Sequence, residues 1–341
     1  MLLDGLSDAA IHAAAVALAA GELLAFPTET VYGLGADAGN DRAVEKIFTA
    51  KGRPSDHPLI VHVDDAQRGR AAVAHFARAV PDFAQRLMQA FWPGPLTLIL
   101  PRRAGVGSLA AGGQDSIGLR CPDHPVAQQL LRACRTLGVM GLAGPSANQF
   151  GRVSPTTAAH VRSEFGDRLL ILDGGACRVG IESTIVDCSR GVPVLLRPGA
   201  IGPAQLEVAC GQPVLTREQG QALQQGAPRA AGTLAAHYAP RARLRLMDAK
   251  ALQMALDGLQ AQGPAGGVLQ RIAVYARSAM RTVPAQVLVL EMPQDAVATA
   301  QQLFATLRRC DDSGCAHVWV ETPPATPDWD AVRDRLHRAA V

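Results

Sequence analysis

Three strings in this chain combine hydroxyls, an amide, a carboxylate and paired cations where the backbone can come close to a ligand. The first, Phe26-Pro27-Thr28-Glu29-Thr30-Val31-Tyr32-Gly33-Leu34-Gly35, runs on from the apolar Leu23-Leu24-Ala25-Phe26 and reads as a buried strand ending at a site. The second, Lys51-Gly52-Arg53-Pro54, stands shortly before the apolar Leu59-Ile60-Val61. The third, Gly144-Pro145-Ser146-Ala147-Asn148, ends another apolar run and has Gly151-Arg152-Val153-Ser154-Pro155 behind it. Glycine lets a backbone approach a phosphate, while a lysine and an arginine offer its oxygens a point charge and a fork. A substrate carrying phosphates and a carboxylate suits this set.

Each string also has a plainer reading. A Lys-x-Arg pair can be a solvated helix end, where cations favour the macrodipole. Small polar residues after a strand can be a cap or a turn. Glu182-Ser183-Thr184 before Ile185-Val186, and Arg197-Pro198-Gly199 after Val194–Leu196, can be turns as well. Together, five such strings beside expected strands fit the strand-end crevices where α/β sheets bind ligands. His62, inside the run 59–63, reads either as a satisfied core imidazole or as a holder of a carboxylate. Arg120, after Ile117-Gly118-Leu119, reads either as a surface ion pair or in that same holding role. Cys121 reads as a bystander. GxxxxGK[ST], HExxH and GxSxG are absent, and Gly33-x-Gly35 lacks the third Rossmann glycine.

The elements that must position these residues follow from apolar spacing and caps. Ser7 or Asp8 caps a helix to about Ala20, and a strand follows at Leu23–Phe26. The pattern then predicts a helix over Asp41–Ala50, a strand over Leu59–Val63, helices within Ala66–Phe91 and strands at Leu96–Leu100 and Ser116–Arg120. A helix is expected over Pro125–Leu137 and another over Thr156–Phe165. Strands are expected at Val139–Ala143, Leu169–Leu172, Ser183–Val186 and Val194–Leu196. Strands that follow one another directly predict a mixed, twisted sheet in an α/β domain. Thr216–Pro240 has the composition of a linker, with Gln219-Gly220-Gln221, Gln224-Gln225-Gly226 and Pro228. Beyond it, strands at Leu244–Leu246, Ile272–Tyr275, Val287–Leu290 and Val318–Val320 alternate with helices at Asp248–Leu259, Gln294–Arg309 and Asp328–Ala340. Arg241, Arg243 and Arg245 alternate as on the solvated face of a strand.

Composition sets the class. With 341 residues, 48% of them apolar, the chain can hold two domains with sizeable cores. A formal net charge of +3 with interspersed signs argues against a dedicated nucleic-acid binder, though a local basic cleft stays open. Seven cysteines without a CxxC pair point to free thiols in a reducing compartment; Cys310-x4-Cys315 lacks the second half of a metal site. No apolar run reaches the ~20 residues of a membrane span. Asp4 and Asp8 do not suit a signal peptide. A cytoplasmic protein with no membrane association is expected.

The strings combine into a resemblance. Phe26 to Leu34, Lys51 to Pro54, Pro58-Leu59-Ile60-Val61-His62, Trp92-Pro93-Gly94-Pro95-Leu96-Thr97, Gly144 to Asn148, Glu182-Ser183-Thr184-Ile185-Val186 and Leu196-Arg197-Pro198-Gly199 occur in family order. Over about residues 10–210 the chain closely resembles the YrdC-like domain of L-threonylcarbamoyladenylate synthases. His237-Tyr238-Ala239-Pro240 and the tail resemble the long, two-domain form. The resemblance implies a YrdC-like domain over 1–215, a linker or lid over 216–240, and a smaller Rossmann-like α/β domain over 241–341. It implies synthesis of threonylcarbamoyl-AMP from L-threonine, bicarbonate or carbon dioxide, and ATP with magnesium (Mg2+), releasing pyrophosphate. A partner transferase then modifies tRNA, and weak RNA binding fits that pathway.

By position, the resemblance assigns Lys51 and Arg53 to catalysis. Thr30, His62, Arg120, Gly144 and Ser183 would hold threonine. Arg53, His57, Ser116, Ser146, Asn148, Ser154 and Arg197 would line the ATP site, and His237 with Tyr238 would close over the nucleotide. Two departures stand out. Ala227-Pro228-Arg229-Ala230-Ala231-Gly232-Thr233-Leu234 replaces a Ser-Pro-Gly-Met-like string, and His57 stands where asparagine is expected. Two competing readings are an RNA-binding factor that uses the same surface and a related carbamoyl-transfer enzyme with another acceptor. Absent aromatic stacking motifs count against the first; absent zinc-finger and acylphosphatase-like segments count against the second.

Overall fold

Short apolar runs, too brief for helices, build one mixed sheet of ten strands. These are β1 (Leu2–Asp4), β2 (Leu24–Phe26), β3 (Gly33–Asp37), β4 (Ile60–His62), β5 (Leu96–Pro101), β6 (Ser116–Arg120), β7 (Leu142–Ala143), β8 (Leu170–Asp173), β9 (Thr184–Asp187) and β10 (Val194–Arg197). They lie in the order β1-β8-β2-β3-β7-β4-β6-β5-β9-β10. The computed structural model describes residues 1–64, 70–223, 226–262 and 271–340. The expected helix start at Ala66 and the pair Gln224-Gln225 lie outside them. Two compact units are present, Met1–Phe150 with Ser154–Thr233, and Gly151–Val153 with Leu234–Val341.

In the first unit, alternation along β2 sends Leu24 and Phe26 into one hydrophobic cluster and Ala25 into another. Helices Asp8–Ala19 and Pro125–Thr136 supply the Leu24 side with Ile11, Leu18 and Leu130. The opposite cluster takes Val44, Ile47 and Phe48 from helix Asp41–Lys51 and Leu87 from helix Asp82–Phe91. Register brings the sequence strings together. His62 is opposite Arg120 across the parallel β4–β6 pair, and Val61 is opposite Ala143 across the antiparallel β4–β7 pair. Leu96 is opposite Thr184, which places Thr97 and Ser183 beside each other.

Several elements differ from the sequence reading. The sequence reading assigns no strand to β3. A strand forms there because a Cβ at Gly33 or Gly35 would stand 3.0 Å from the Phe26 ring, so only glycine lets the chain lie over that ring. β7 spans Leu142–Ala143 alone. Helix Pro203–Cys210 and strand β1 have no counterpart in the sequence reading. The segment read as linker contains helix Arg217–Gln221, started by a Thr216 side chain that accepts from the Gln219 amide at 3.3 Å.

The second unit has a parallel sheet of β11 (Arg243–Met247), β12 (Ile272–Ala276), β13 (Val287–Glu291) and β14 (His317–Glu321), in the order β11-β14-β12-β13. Helices Ala249–Gln262, Ala296–Asp312 and Asp330–Ala339 complete it. Arg241, Arg243 and Arg245 are exposed, while Leu244 and Met247 are buried. Cys310 and Cys315 are buried free thiols. The Glu321 carboxylate accepts from the Arg277 and Ser278 amides at 2.8 and 2.7 Å. No described helix is long and apolar enough to cross a membrane.

Candidate active site

Gly52 ends helix Asp41–Lys51 in the left-handed conformation at φ 62°, which glycine adopts without steric cost. The turn does not leave Lys51 in solvent. Lys51 is 2% exposed, and its Nζ donates to the Ser146 carbonyl at 2.6 Å and to the Asn148 carbonyl. The Phe150 amide donates back to the Lys51 carbonyl at 2.9 Å. The lysine string therefore holds the Gly144–Asn148 loop in place, and Lys51 is no solvated helix end. Burial, then the neighbouring Arg53 charge, push the Lys51 pKa well below its usual value. Arg53 donates to the Pro58 carbonyl at 2.9 Å and lies over the Phe150 ring. His57 packs edge-on against the same ring, and partial burial followed by the Arg53 charge lower its pKa.

Arg120 closes β6 in a buried polar cluster. Its Nη2 pairs with Glu29 Oε1 at 2.6 Å, Nη1 donates to Thr30 Oγ1 at 2.8 Å, and Nε donates to the Gly94 carbonyl at 3.4 Å. Thr30 Oγ1 lies 2.8 Å from Thr28 Oγ1, whose only proton goes to the Val31 carbonyl at 2.6 Å. Thr30 must then donate to Thr28, and the hydroxyls form a one-way chain leading away from the guanidinium. His62 sits edge-on to Phe26. Burial, followed by the Arg120 charge, lowers its pKa to about 3, so the ring is neutral at ordinary pH. A Cβ at Gly144 would stand 2.9 Å from His62 Nδ1, so glycine there lets the loop backbone lie against the imidazole.

A second cluster forms around β9 and β10. Ser183 Oγ lies 2.8 Å from Thr97 Oγ1. Arg197 donates from Nη2 to the Ser183 carbonyl at 2.9 Å and to Ser183 Oγ at 3.2 Å, and from Nη1 to the Ala231 carbonyl at 2.9 Å. Ser154 Oγ donates to Glu182 Oε1 at 2.5 Å, with both side chains buried. Ser116 lines a narrow cleft with Pro58, Thr97, Gly118, Arg229 and Ala231. Arg229 is tied there by a 3.0 Å ion pair to Asp56 and a 2.9 Å bond to the Gly112 carbonyl. His237 and Tyr238 belong to the second unit. Tyr238 has φ 63°, and its ring stacks on Phe304 with the Arg335 guanidinium over it.

The structure thus groups Thr30, His62, Arg120 and Gly144, groups Ser183 with Arg197, and links Lys51 to Ser146 and Asn148. Sequence reasoning does not single out Glu29, Thr97 or Glu182. Glu29 and Glu182 are visible as carboxylates inside quoted strings; nothing in the sequence signals that Thr97 meets Ser183 across two strands. The result is two cationic, hydroxyl-rich clusters in one unit, a donor set suited to a carboxylate and to phosphates.

Known proteins share this layout. The family model described as Telomere recombination, covering Sua5, YciO and YrdC, matches residues 16–199, and that of the threonylcarbamoyl-AMP synthase C-terminal domain matches 201–341. Threonylcarbamoyl-AMP synthase of Bacillus subtilis is 37% identical over 98% of this chain and 94% of its own. The crystal structure of P. abyssi Sua5 complexed with L-threonine superposes with a TM-score of 0.84 at 33% identity, covering 98% of this chain and 95% of that one. A variant of P. abyssi Sua5 with an adjacent histidine and tyrosine replaced by alanine gives 0.85 at 31% identity, over 100% of this chain and 96% of that one. With both family models matched in order and such relatives covered nearly end to end, this chain belongs to the threonylcarbamoyl-AMP synthase family.

Proposed function

We propose that this chain joins L-threonine, carbon dioxide derived from bicarbonate, and ATP into threonylcarbamoyl-AMP, releasing pyrophosphate. A transferase then takes up the product to modify tRNA. The observation that carries the reading is the buried Arg120 guanidinium, set at a strand end among Thr30, His62 and Gly144. It offers a carboxylate an already oriented cation shielded from water. Crystallised P. abyssi Sua5 holds L-threonine.

In the proposed reaction the threonine ammonium first loses a proton to solvent. The free amine attacks carbon dioxide, an N–C bond forms as a C=O π bond opens, and a second proton leaves to water to give the carbamate. A carbamate oxygen attacks the α-phosphorus, an O–P bond forms, and the bond to pyrophosphate breaks. Catalysis is then positioning and charge stabilisation. Arg53, with Arg197, would neutralise phosphate oxygens. Lys51 would act through the loop it holds, presenting Ser146 and Asn148 to ATP, with His57, Ser116 and Ser154 along the same site. Ser183 would meet the threonine hydroxyl. No three described His, Cys, Asp or Glu side chains converge on a metal site. Magnesium would be held by the ATP phosphates and would neutralise charge there alongside Arg53 and Arg197. His237 and Tyr238 would close over the nucleotide and exclude water from the mixed anhydride.

The test is a mass-spectrometric assay with ATP, magnesium, bicarbonate and each amino acid in turn. Threonine-dependent threonylcarbamoyl-AMP with stoichiometric pyrophosphate is expected. An adenylate formed equally well with other amino acids, or none at all, would sink the reading.

A further inference from the structure

A buried carboxylate beside Arg120 has no part in the reaction as derived. Glu29 is 1% exposed. Its Oε1 pairs with Arg120 Nη2, and its Oε2 has no hydrogen-bond partner among the described residues. An ionised carboxyl kept from water is costly unless its oxygens are satisfied, so an open buried oxygen marks a place for a donor. Besides Arg120, the Glu29 charge is felt by His124 and Cys177. Burial lowers the His124 pKa, which disfavours an imidazolium that could compensate Glu29, and raises that of Cys177 to about 12, so the thiol stays neutral and adds no second anion.

We propose that Glu29 and Arg120 together recognise the zwitterion of an α-amino acid, Arg120 taking the carboxylate and Glu29 Oε2 the α-ammonium. The inference rests on the threonine reading above. The geometry favours it because the two protein charges are in direct contact, as the two charges of an amino acid sit one carbon apart. The ligand can lie across the pair with each charge facing its opposite. Thr30, next to Glu29 in sequence, already accepts from the same guanidinium. A carboxylic acid lacking the amine would leave Oε2 unsatisfied and bind poorly, which selects for the group that must be carboxylated.

The experiment uses the full chain and isothermal titration calorimetry without ATP. L-Threonine is compared with the hydroxy acid in which a hydroxyl replaces the amine, 2,3-dihydroxybutanoate of matching configuration. The wild type should prefer threonine by about tenfold or more, the worth of a charge-assisted hydrogen bond. In Glu29→Gln that preference should fall to about threefold or less, with the affinity for the hydroxy acid little changed. Equal losses for both ligands would show that Glu29 only braces Arg120, and an undiminished preference would show that the ammonium binds elsewhere; either overturns the proposal. Should the variant not fold, equal affinities for the two ligands in the wild type would overturn it as well, and a tenfold preference would support it. A wild type that binds no threonine at all would instead count against the functional reading.

Discussion

At the scale of single residues, the site depends on charges withdrawn from water and held by specific partners. Replacing Arg120 by alanine should cost about 2–5 kcal/mol of threonine binding, because a carboxylate would enter a pocket without its cation. ATP affinity should hardly move, and titration of each ligand separately would reveal any deviation. His62 gives a pH signature. Its folded pKa is about 3, against an ordinary value of 6.5. Between these values the unfolded chain holds the extra proton, so stability is intact above pH 6.5 and falls as pH drops toward 3. The slope from this residue is at most ~1.4 kcal/mol per pH unit. Urea unfolding near neutral pH and about two units lower should show the loss in the wild type and a smaller one in His62→Asn. Identical slopes would mean that the ring is not held neutral. The sequence allows two readings of His62 and of Lys51 because burial is a tertiary property: the carbonyls that take up the Lys51 ammonium lie 95 and 97 residues away along the chain.

At the scale of elements, loops are held by helix ends and by places where only glycine fits. Gly144→Ala would drive a Cβ into His62 Nδ1 and the Phe26 ring, at 2.9 and 3.0 Å. Overpacking of that kind costs about 1–3 kcal/mol and should raise KM for threonine as the loop moves off the imidazole. An unchanged melting temperature and KM would show that the loop yields freely. Many helices and strands are legible from period, and the first helix also from its Ser7 cap; Asn40 and Asp295, not read as caps in the sequence, cap two more. β3 is not, since Gly33-Leu34-Gly35-Ala36-Asp37 has little strand propensity and owes its place to the Phe26 ring against it. The short helix after Thr216 is hidden in the same way, in a stretch whose glycine and glutamine content resembles a tether.

At the scale of the whole molecule, the first unit carries its own core and both polar clusters, so it should bind threonine without the rest. A fragment ending at Thr233 keeps Arg229 on Asp56 and Ala231 on Arg197. We expect it to fold and to bind threonine within about threefold of the full chain, since the residues proposed to hold threonine are all retained. Its ATP turnover should be weak or uncoupled from product, because His237 and Tyr238 are gone. Full product yield from the fragment would show that these two are dispensable. The family strings are legible because each is a contiguous run. The pairings between strings, such as Thr97 with Ser183 and Ser154 with Glu182, depend on strand order that no local pattern encodes.

The chain contains three lysines, Lys46, Lys51 and Lys250. Lys46 and Lys250 are exposed, whereas the Lys51 amine is bound to two loop carbonyls. An acylating reagent should therefore tag the first two at once and reach Lys51 only when the loop lets go. The Lys51 tag becomes a clock for that opening, readable by peptide mass mapping without any change to the sequence.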